Sequence, residues 1–179
     1  MLLKKLQKKL AEENREVLFF DESRFGTHSK IGHGWFLKGK RTAVKVKLGF
    51  QSFYLYGAVS SKTGYNFNLL LPEVNTFGMN VFLGRLSKSL KGKKVILVLD
   101  GASWHKSTEL RVPANIELMC LPPYSPELNP VEKLWQFIKS KVLKNKIYNK
   151  LSDLETAVCS FIKDISNEDI MSNCACSYL

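Results

Sequence analysis

The sequence lacks the features that mark membrane proteins, secreted proteins and zinc sites. No apolar run approaches the roughly 18 to 20 residues that a membrane-spanning helix needs, and no hydrophobic signal region follows the basic start. None of the four cysteines forms a C-x-x-C pair or has a histidine at metal-ligand spacing. We therefore expect a protein that stays in the cytoplasm with free thiols, one of which, Cys120, lies in the core.

Acidic residues are scarce relative to basic ones. The chain has 27 Lys and Arg against 16 Asp and Glu, a net charge of +11. Such an excess attracts polyanions through long-range attraction and counterion release. Nucleic acid is therefore a better expected partner than an acidic protein or a metabolite. The length of 179 residues and the 45% hydrophobic content predict one globular domain with a sizeable core.

Two short apolar runs each lead into an aspartate. Residues 17–20 precede Asp21, and five aliphatic residues, 95–99, precede Asp100. An uninterrupted apolar run is typical of a strand buried on both faces, and the strand's C-terminal end is a usual place for a site. Asp21 and Glu22 point to opposite faces because strand side chains alternate, so only one of them can face a given site. Asp21 is also compatible with an ordinary turn at a strand end.

The residues between the two aspartates predict a loop, a strand, a hairpin and a helix. A glycine-rich loop leads to a predicted strand around 34–38, and two aromatic runs, 53–60 and 65–71, flank turn residues as in a hairpin. These aromatic residues are better explained as core than as a platform for stacking bases. Residues 75–90 predict a helix, whose apolar positions are Phe77, Val81, Phe82, Leu86 and Leu90.

Two basic segments have both a DNA-binding and a structural interpretation. In residues 1–16, leucines at helical spacing are surrounded by lysines, which predicts a basic amphipathic helix that lies on DNA or, preferably, docks on the domain as a solvated surface. A second basic cluster either binds phosphates or is solvated, with neither alternative favoured. Its members are Lys38, Lys40, Arg41, Lys45 and Lys47.

Residues 122–135, PPYSPELNPVEKLW, place a carboxylate at the start of a helix. Four prolines keep the lead-in stiff and extended. Asn129 then fits the N-cap and Pro130 the first helical position, with Glu132 in the first turn, where the helix dipole favours an acid. A well-capped surface helix is the ordinary alternative. The predicted buried stripe is Val131, Leu134, Trp135, Ile138 and Val142.

The remaining elements are a strand over 116–121, which delivers the chain to the proline loop, and a last helix from an N-cap box at Ser152 to Ile162. The residues beyond 167 carry no clear pattern.

Three of these blocks together resemble the DDE transposases of the mariner and bacterial insertion-sequence superfamily, also described as DDE superfamily endonucleases. They are D-E-S at Asp21, D-G-A-x-W-H-K from Asp100, and P-Y-S-P-x-L-N-P-x-E-x-x-W around Glu132, in the family's order. The resemblance covers residues 17 to about 162. Gly101 departs from it, because many mariner-like relatives have Asn there.

The resemblance implies an α/β, RNase H-like fold with a mixed five-stranded sheet flanked by helices. It also implies that Asp21, Asp100 and Glu132 are the catalytic acids and hold Mg²⁺ or Mn²⁺, with two ions expected. Oxygen ligands suit such hard ions, and a pair about 4 Å apart can act on both sides of a phosphodiester. The implied function is metal-dependent DNA cleavage and strand transfer during transposition of an insertion element.

Several residues near these acids are candidate DNA contacts. His105 could orient a phosphate or the attacking water, or be a satisfied structural histidine, and both alternatives stay open. Lys139 lies about two turns beyond Glu132 on the same helix face. The remaining candidates are Lys106, Lys38, Lys40, Arg41 and Lys45.

The predicted organisation is a basic helix over 1–16, the catalytic domain over 17–166 and a C-terminal tail over 167–179. We expect DNA partners at element ends and target, a dimer when active, no membrane, and a location at the bacterial nucleoid. No helix-turn-helix precedes the domain. We therefore expect a split or frameshift product working with an upstream DNA-binding polypeptide, a truncated remnant, or a catalytic domain expressed alone. The main alternative is a catalytically inactive, transposase-derived DNA-binding protein; a ribonuclease or a glycosidase fits less well.

Overall fold

A mixed sheet of five strands forms the centre of the chain. The computed structural model describes residues 15–29, 38–39, 46–123 and 125–176. The strands are β1 (Glu16–Gly26), β2 (Ser52–Val59), β3 (Asn66–Leu71), β4 (Val95–Leu99) and β5 (Ile116–Cys120). Their order in the sheet is β3-β2-β1-β4-β5. This arrangement confirms the predicted α/β class and the mixed sheet.

The register of β1 decides where the first aspartate lies. β1 runs parallel to β4 as far as the pair Phe19–Val98. It continues antiparallel to β2, with Asp21 opposite Gly57. The prediction that β1 ends at or near Asp21 is therefore wrong, because pairing with β2 extends the strand to Gly26. Relative to β4, however, Asp21 is two residues beyond the last pair, as Asp100 is beyond Val98, so both acids reach the same edge.

Successive side chains of each strand point to opposite faces of the sheet and pack into two hydrophobic cores, one on each face. One face carries α1 (Thr76–Ser89), and the other is covered by α2 (Val131–Val142), α3 (Leu151–Asp164) and α4 (Asn167–Asn173). The α1 core includes Leu18, Phe20, Tyr56, Phe82 and Leu97. The opposite core includes Phe19, Val98, Trp135, Leu154 and Ile170. Even-numbered β1 residues thus face α1, and odd-numbered ones, Asp21 among them, face α2.

The predicted helix over 75–90 is confirmed, but in its first turn Gly78 faces the sheet in place of the predicted Phe77. The Asn75 side chain accepts a hydrogen bond of 2.8 Å from the Gly78 backbone N–H and caps α1. Phe77 is 76% exposed, against the prediction, whereas Gly78 is buried. A Cβ at Gly78 would lie 2.9 Å from the Tyr56 hydroxyl, so the position nearest the sheet has room only for glycine.

Two predictions about the C-terminal half are wrong in detail. Cys120 is exposed rather than in the core, because it ends the edge strand β5; Cys174 is the buried thiol. The last predicted helix, α3, begins at Leu151, and the Lys150 backbone N–H donates to Asp153 Oδ2 at 3.2 Å, so Ser152 is not the cap.

The stretch predicted as a C-terminal tail contains α4. Ser166 accepts a hydrogen bond of 3.0 Å from the Asp169 N–H, which caps this helix. Ile170 and Cys174 are buried against α2 and α3. The segment up to Asn173 therefore belongs to the packed structure.

Several predicted features lie outside the described residues. These are residues 1–14 of the N-terminal helix, the predicted strand around 34–38 apart from Lys38, and the basic residues Lys40, Arg41 and Lys45. Glu16, predicted as the helix end, begins β1 instead. None of the described helices is both long and apolar enough to span a membrane.

Candidate active site

The three predicted acids line one cavity at the edge reached by β1 and β4. Its volume is about 270 Å³, and Asp21, Asp100 and Glu132 all contribute to its wall. Leu121, which follows β5, and Asn129, which precedes α2, also line it. The fold thus places the three predicted acids around one cavity. Within the described residues, however, no three His, Cys, Asp or Glu side chains are close enough to hold one metal ion.

Asp21 is a partly buried carboxyl whose proton is held unusually tightly. Burial raises its pKa from the ordinary 3.8 to about 7, and the negative charge of Glu132 adds to the rise. A hydrogen bond of 2.8 Å from Trp135 Nε1 to Asp21 Oδ2 acts in the opposite direction. A nearby cation would relieve both the burial cost and the repulsion. The oxygen-only donors at this position therefore fit a hard divalent ion.

The indole of Trp135 reaches Asp21 across a glycine. Gly57 lies opposite Asp21 in the β1–β2 pairing. A Cβ at Gly57 would lie 2.4 Å from Trp135 Cη2, which is too close for any real contact. Glycine at this position therefore leaves the space in which the indole lies. Trp135, predicted as part of the buried stripe, is buried and also orients a site carboxylate.

Asp100 follows β4 and is anchored by the residues after it. Its side chain is 58% exposed, and Oδ1 lies 2.8 Å from His105 Nδ1. The same oxygen accepts a hydrogen bond of 3.1 Å from the Ala102 backbone N–H. Ala102 directly precedes a short 3₁₀ helix, Ser103–Lys106, and His105 lies within it. They hold the carboxylate on the His105 side of the cavity.

His105 links Asp100 to a second carboxylate on the other face of β1. Its Nε2 lies 3.2 Å from Glu22 Oε1, which also accepts a hydrogen bond of 3.1 Å from Trp104 Nε1. Burial lowers the pKa of His105, but the hydrogen bond and charge of Glu22 and the charge of Asp100 outweigh it, so the pKa is raised. The ring is 1% exposed. Its burial favours the structural alternative for His105 over a direct DNA contact.

Asn129 fixes the start of α2 against β1. Its Nδ2 donates to the Phe20 carbonyl oxygen at 3.0 Å, and its Oδ1 accepts from the Val131 N–H at 3.3 Å. The helix begins at Val131, one residue later than predicted, with Pro130 at the cap position. Pro130 already has helical angles, φ −65° and ψ −17°, so the two boundaries differ little. Glu132 lies in the first turn, as predicted.

The other candidate DNA contacts are scattered or not described. Lys139 lies in the last turn of α2, with Nζ 5.4 Å from the Phe25 ring centroid. Lys38 is exposed in a turn. Lys106 belongs to the 3₁₀ helix, but its side chain is outside the described part, as are Lys40, Arg41 and Lys45.

Sequence reasoning missed the side chains that orient the acids. The sequence predicts Glu22 only on the opposite face of its strand, and Trp135 only in the buried stripe of its helix. Trp104 and Asn129 lie in the sequence motifs around Asp100 and Glu132, but their spacing does not predict that they bond to residues of β1. Their position inside the same short motifs as the acids was the one available signal.

Comparisons with known proteins identify the family of the chain. Residues 16–155 match the family described as DDE superfamily endonuclease. An uncharacterized protein of Sinorhizobium fredii, y4pE/y4sA, is 43% identical over 108 residues, which cover 60% of this chain and 80% of that protein. A 39 kDa protein of insertion element IS630 from Shigella sonnei is 29% identical, over 84% of this chain and 45% of its own length. The Tc3 transposase of Caenorhabditis elegans is 27% identical, over 88% and 51%. The chain thus spans about half the length of the last two relatives.

Solved structures of Mos1 mariner transposase have the same fold. The paired-end complex with Mn has a TM-score of 0.74 at 17% identity and covers 97% of this chain and 56% of that one. The isolated Mos1 catalytic domain has a TM-score of 0.65 at 15% identity and covers 97% and 83%. The predicted RNase H-like fold and the predicted family are therefore confirmed. The chain belongs to the DDE superfamily endonucleases, the catalytic-domain family of IS630 and mariner transposases.

Proposed function

We propose that this chain is a transposase catalytic domain that cleaves DNA phosphodiester bonds and transfers strands with two divalent ions. The observation that carries the proposal is the shared cavity of Asp21, Asp100 and Glu132. The raised pKa of Asp21, about 7, supports it, because a carboxyl that is costly to ionise alone gains most from a bound cation. Relatives named as transposases and family membership over residues 16–155 point the same way.

In this proposal Asp21, Asp100 and Glu132 hold the ions. Mg²⁺ and Mn²⁺ are the expected ions, and complexes of Mos1 with each of them are known. When bound, a pair of such ions activates the attacking water or 3′-hydroxyl and stabilises the leaving oxygen.

The chain's own residues orient the ligands. Trp135 directs one oxygen of Asp21, His105 restrains Asp100, and Asn129 fixes the helix start that carries Glu132. Since no three of the described ligating side chains are close enough to hold one ion, ion binding would require at least one of these carboxylates to reorient.

The test is nicking of DNA that contains an element end, in the presence of Mn²⁺. Asp100→Asn keeps the side-chain shape and removes the charge, so activity should fall by at least about a hundredfold, as expected when a metal ligand is lost. Asp164→Asn, at the exposed end of α3, is the matched control and should leave activity unchanged. Nicking that survives Asp100→Asn would overturn the assignment.

An inactive, transposase-derived DNA-binding protein is the second candidate. The observation in its favour is that no three metal-ligating side chains of the described part are close enough to share an ion. Titration with Mn²⁺ by calorimetry separates the two, since an inactive protein of this kind should take up no ion that depends on Asp21, Asp100 and Glu132.

The proposed partners are DNA at element ends and target. An upstream DNA-binding polypeptide and a dimer in the active state remain predictions, as does association with the nucleoid.

A further inference from the structure

A second groove lies beside the part of β1 that extends beyond Asp21. Its volume is about 540 Å³, and Arg24, Gly26, His28, Gly49, Phe50 and Lys139 are among the residues that line it. No acidic side chain is among the described residues of its wall. Of these residues, only Lys139 is among the predicted DNA contacts.

The groove begins close to the cavity of the three acids. β1 and α2 run side by side in the same direction, because Trp135 contacts Asp21 and, further along, Lys139 lies over Phe25. Lys139 is two helical turns beyond Glu132, a rise of about 10 Å. Arg24 is three strand residues beyond Asp21, also about 10 Å. Because even-numbered residues of β1 face α1, Arg24 and Lys139 reach the groove from opposite faces of the sheet, each about 10 Å beyond the acid on its own element.

The chemistry of the wall suits an unpaired nucleic-acid strand. Arg24 is exposed, and its Nε donates to Ser52 Oγ at 3.0 Å, which holds the guanidinium in place. Phe50 is 90% exposed, an unusual position for a large apolar ring. Cations that bind phosphates, next to an aromatic ring that stacks on a base, are the usual features of sites for single strands. In a duplex the base faces are already covered by stacking, so a duplex would leave Phe50 unused.

The part of the wall that carries Phe50 is held close to β1. A Cβ at Gly49 would lie 2.1 Å from Thr27 Oγ1, so glycine allows the two segments to approach. The Thr27 backbone N–H also donates to the Gln51 carbonyl oxygen at 3.1 Å. Phe50 therefore projects from a backbone that is fixed on both sides.

We propose that this groove binds an unpaired stretch of DNA strand next to the phosphodiester held at the three acids. Phosphates contact Arg24 and Lys139, and a base stacks on Phe50. The location of the phosphodiester rests on the proposed function. The groove itself does not, because its charge and its exposed ring are independent of the acids.

The test is fluorescence anisotropy with the full chain in EDTA, using a labelled single strand of about 10 nucleotides and its duplex. Phe50→Ala should weaken single-strand binding roughly tenfold and leave duplex binding almost unchanged. Phe50→Trp should bind the single strand about as tightly as the unchanged protein does, because the indole also stacks on a base. Arg24→Gln and Lys139→Gln should each weaken binding and reduce its salt dependence by about one unit of slope.

Matched controls exist on α1, where Phe77 and Arg85 are also exposed. Phe77→Ala and Arg85→Gln should bind the single strand as the unchanged protein does. Equal effects of Phe50→Ala and Phe77→Ala would overturn the proposal, and so would an equal loss of duplex and single-strand binding in Phe50→Ala.

The experiment separates this proposal from the proposed function. Asp100→Asn should bind the single strand normally in EDTA while it fails to nick DNA. If the unchanged protein nicks DNA but the groove variants bind normally, the groove proposal fails and the function stands. If the groove variants behave as expected but no metal-dependent nicking occurs, the function fails and the groove proposal stands.

Discussion

Replacing Asp21 by Asn should make the metal-free protein more stable while it removes activity. The pKa of Asp21 is raised from 3.8 to about 7, so the folded state binds a proton that the unfolded state releases. Between these two values stability falls as pH rises, because the folded chain must either keep the proton or bury a charge. Each pKa unit corresponds to about 1.4 kcal/mol. Three units give an upper bound of about 4 kcal/mol, so we expect Asp21→Asn to be about 2 to 4 kcal/mol more stable above neutral pH.

Asparagine suits this substitution because its Oδ1 can still accept the hydrogen bond from Trp135 Nε1. The measurement is urea unfolding in EDTA at several pH values, for the unchanged protein and for Asp21→Asn. The stability gap should widen by about 2 to 3 kcal/mol between about pH 5 and pH 8, and level off above the folded pKa. Asp164→Asn is the exposed control and should show no such gap. A gap that is absent, or that does not change with pH, would refute the reasoning about Asp21.

Three further predictions concern the residues that hold the acids. Trp135→Phe keeps a ring but removes the N–H, so the pKa of Asp21 should rise above about 7 by roughly one further unit, as NMR titration of the carboxyl carbon in the metal-free protein would show. Gly57→Ala places a Cβ 2.4 Å from Trp135, so urea unfolding should show a loss of about 1 to 3 kcal/mol. Glu22→Gln removes the charge that faces His105, so NMR titration should show a lower pKa for that imidazole; an unchanged pKa would contradict the contact.

The elements that carry the acids could be predicted because their sequence signals are local. The five aliphatic residues of β4 have no polar alternation, and Asp100 is the first residue after them. Asn129 and Pro130 mark a helix start within one residue of the observed one, with Glu132 in its first turn. These signals depend on backbone preference and burial within a few residues, so they do not require knowledge of the fold.

The contacts that orient the acids could not be predicted, because they join residues far apart in the chain. Glu22 meets His105 only because residues 101–105 turn back over the face of the sheet that carries α1. Trp135 reaches Asp21 only because the residue of β2 that pairs with Asp21 is Gly57, which leaves room for the indole. The exposure of Phe77 has the same origin, since helical period alone does not reveal that the sheet leaves room only for Gly78.

Diffraction from crystals soaked in Mn²⁺ can show whether Asp21, Asp100 and Glu132 share divalent ions. If they do, anomalous density should lie in the cavity of about 270 Å³, within coordination distance of all three carboxylates, and should be lost in Asp100→Asn. If a saturating soak gives no anomalous density in this cavity, or gives density against only one of the three acids, the three carboxylates do not form a shared metal site.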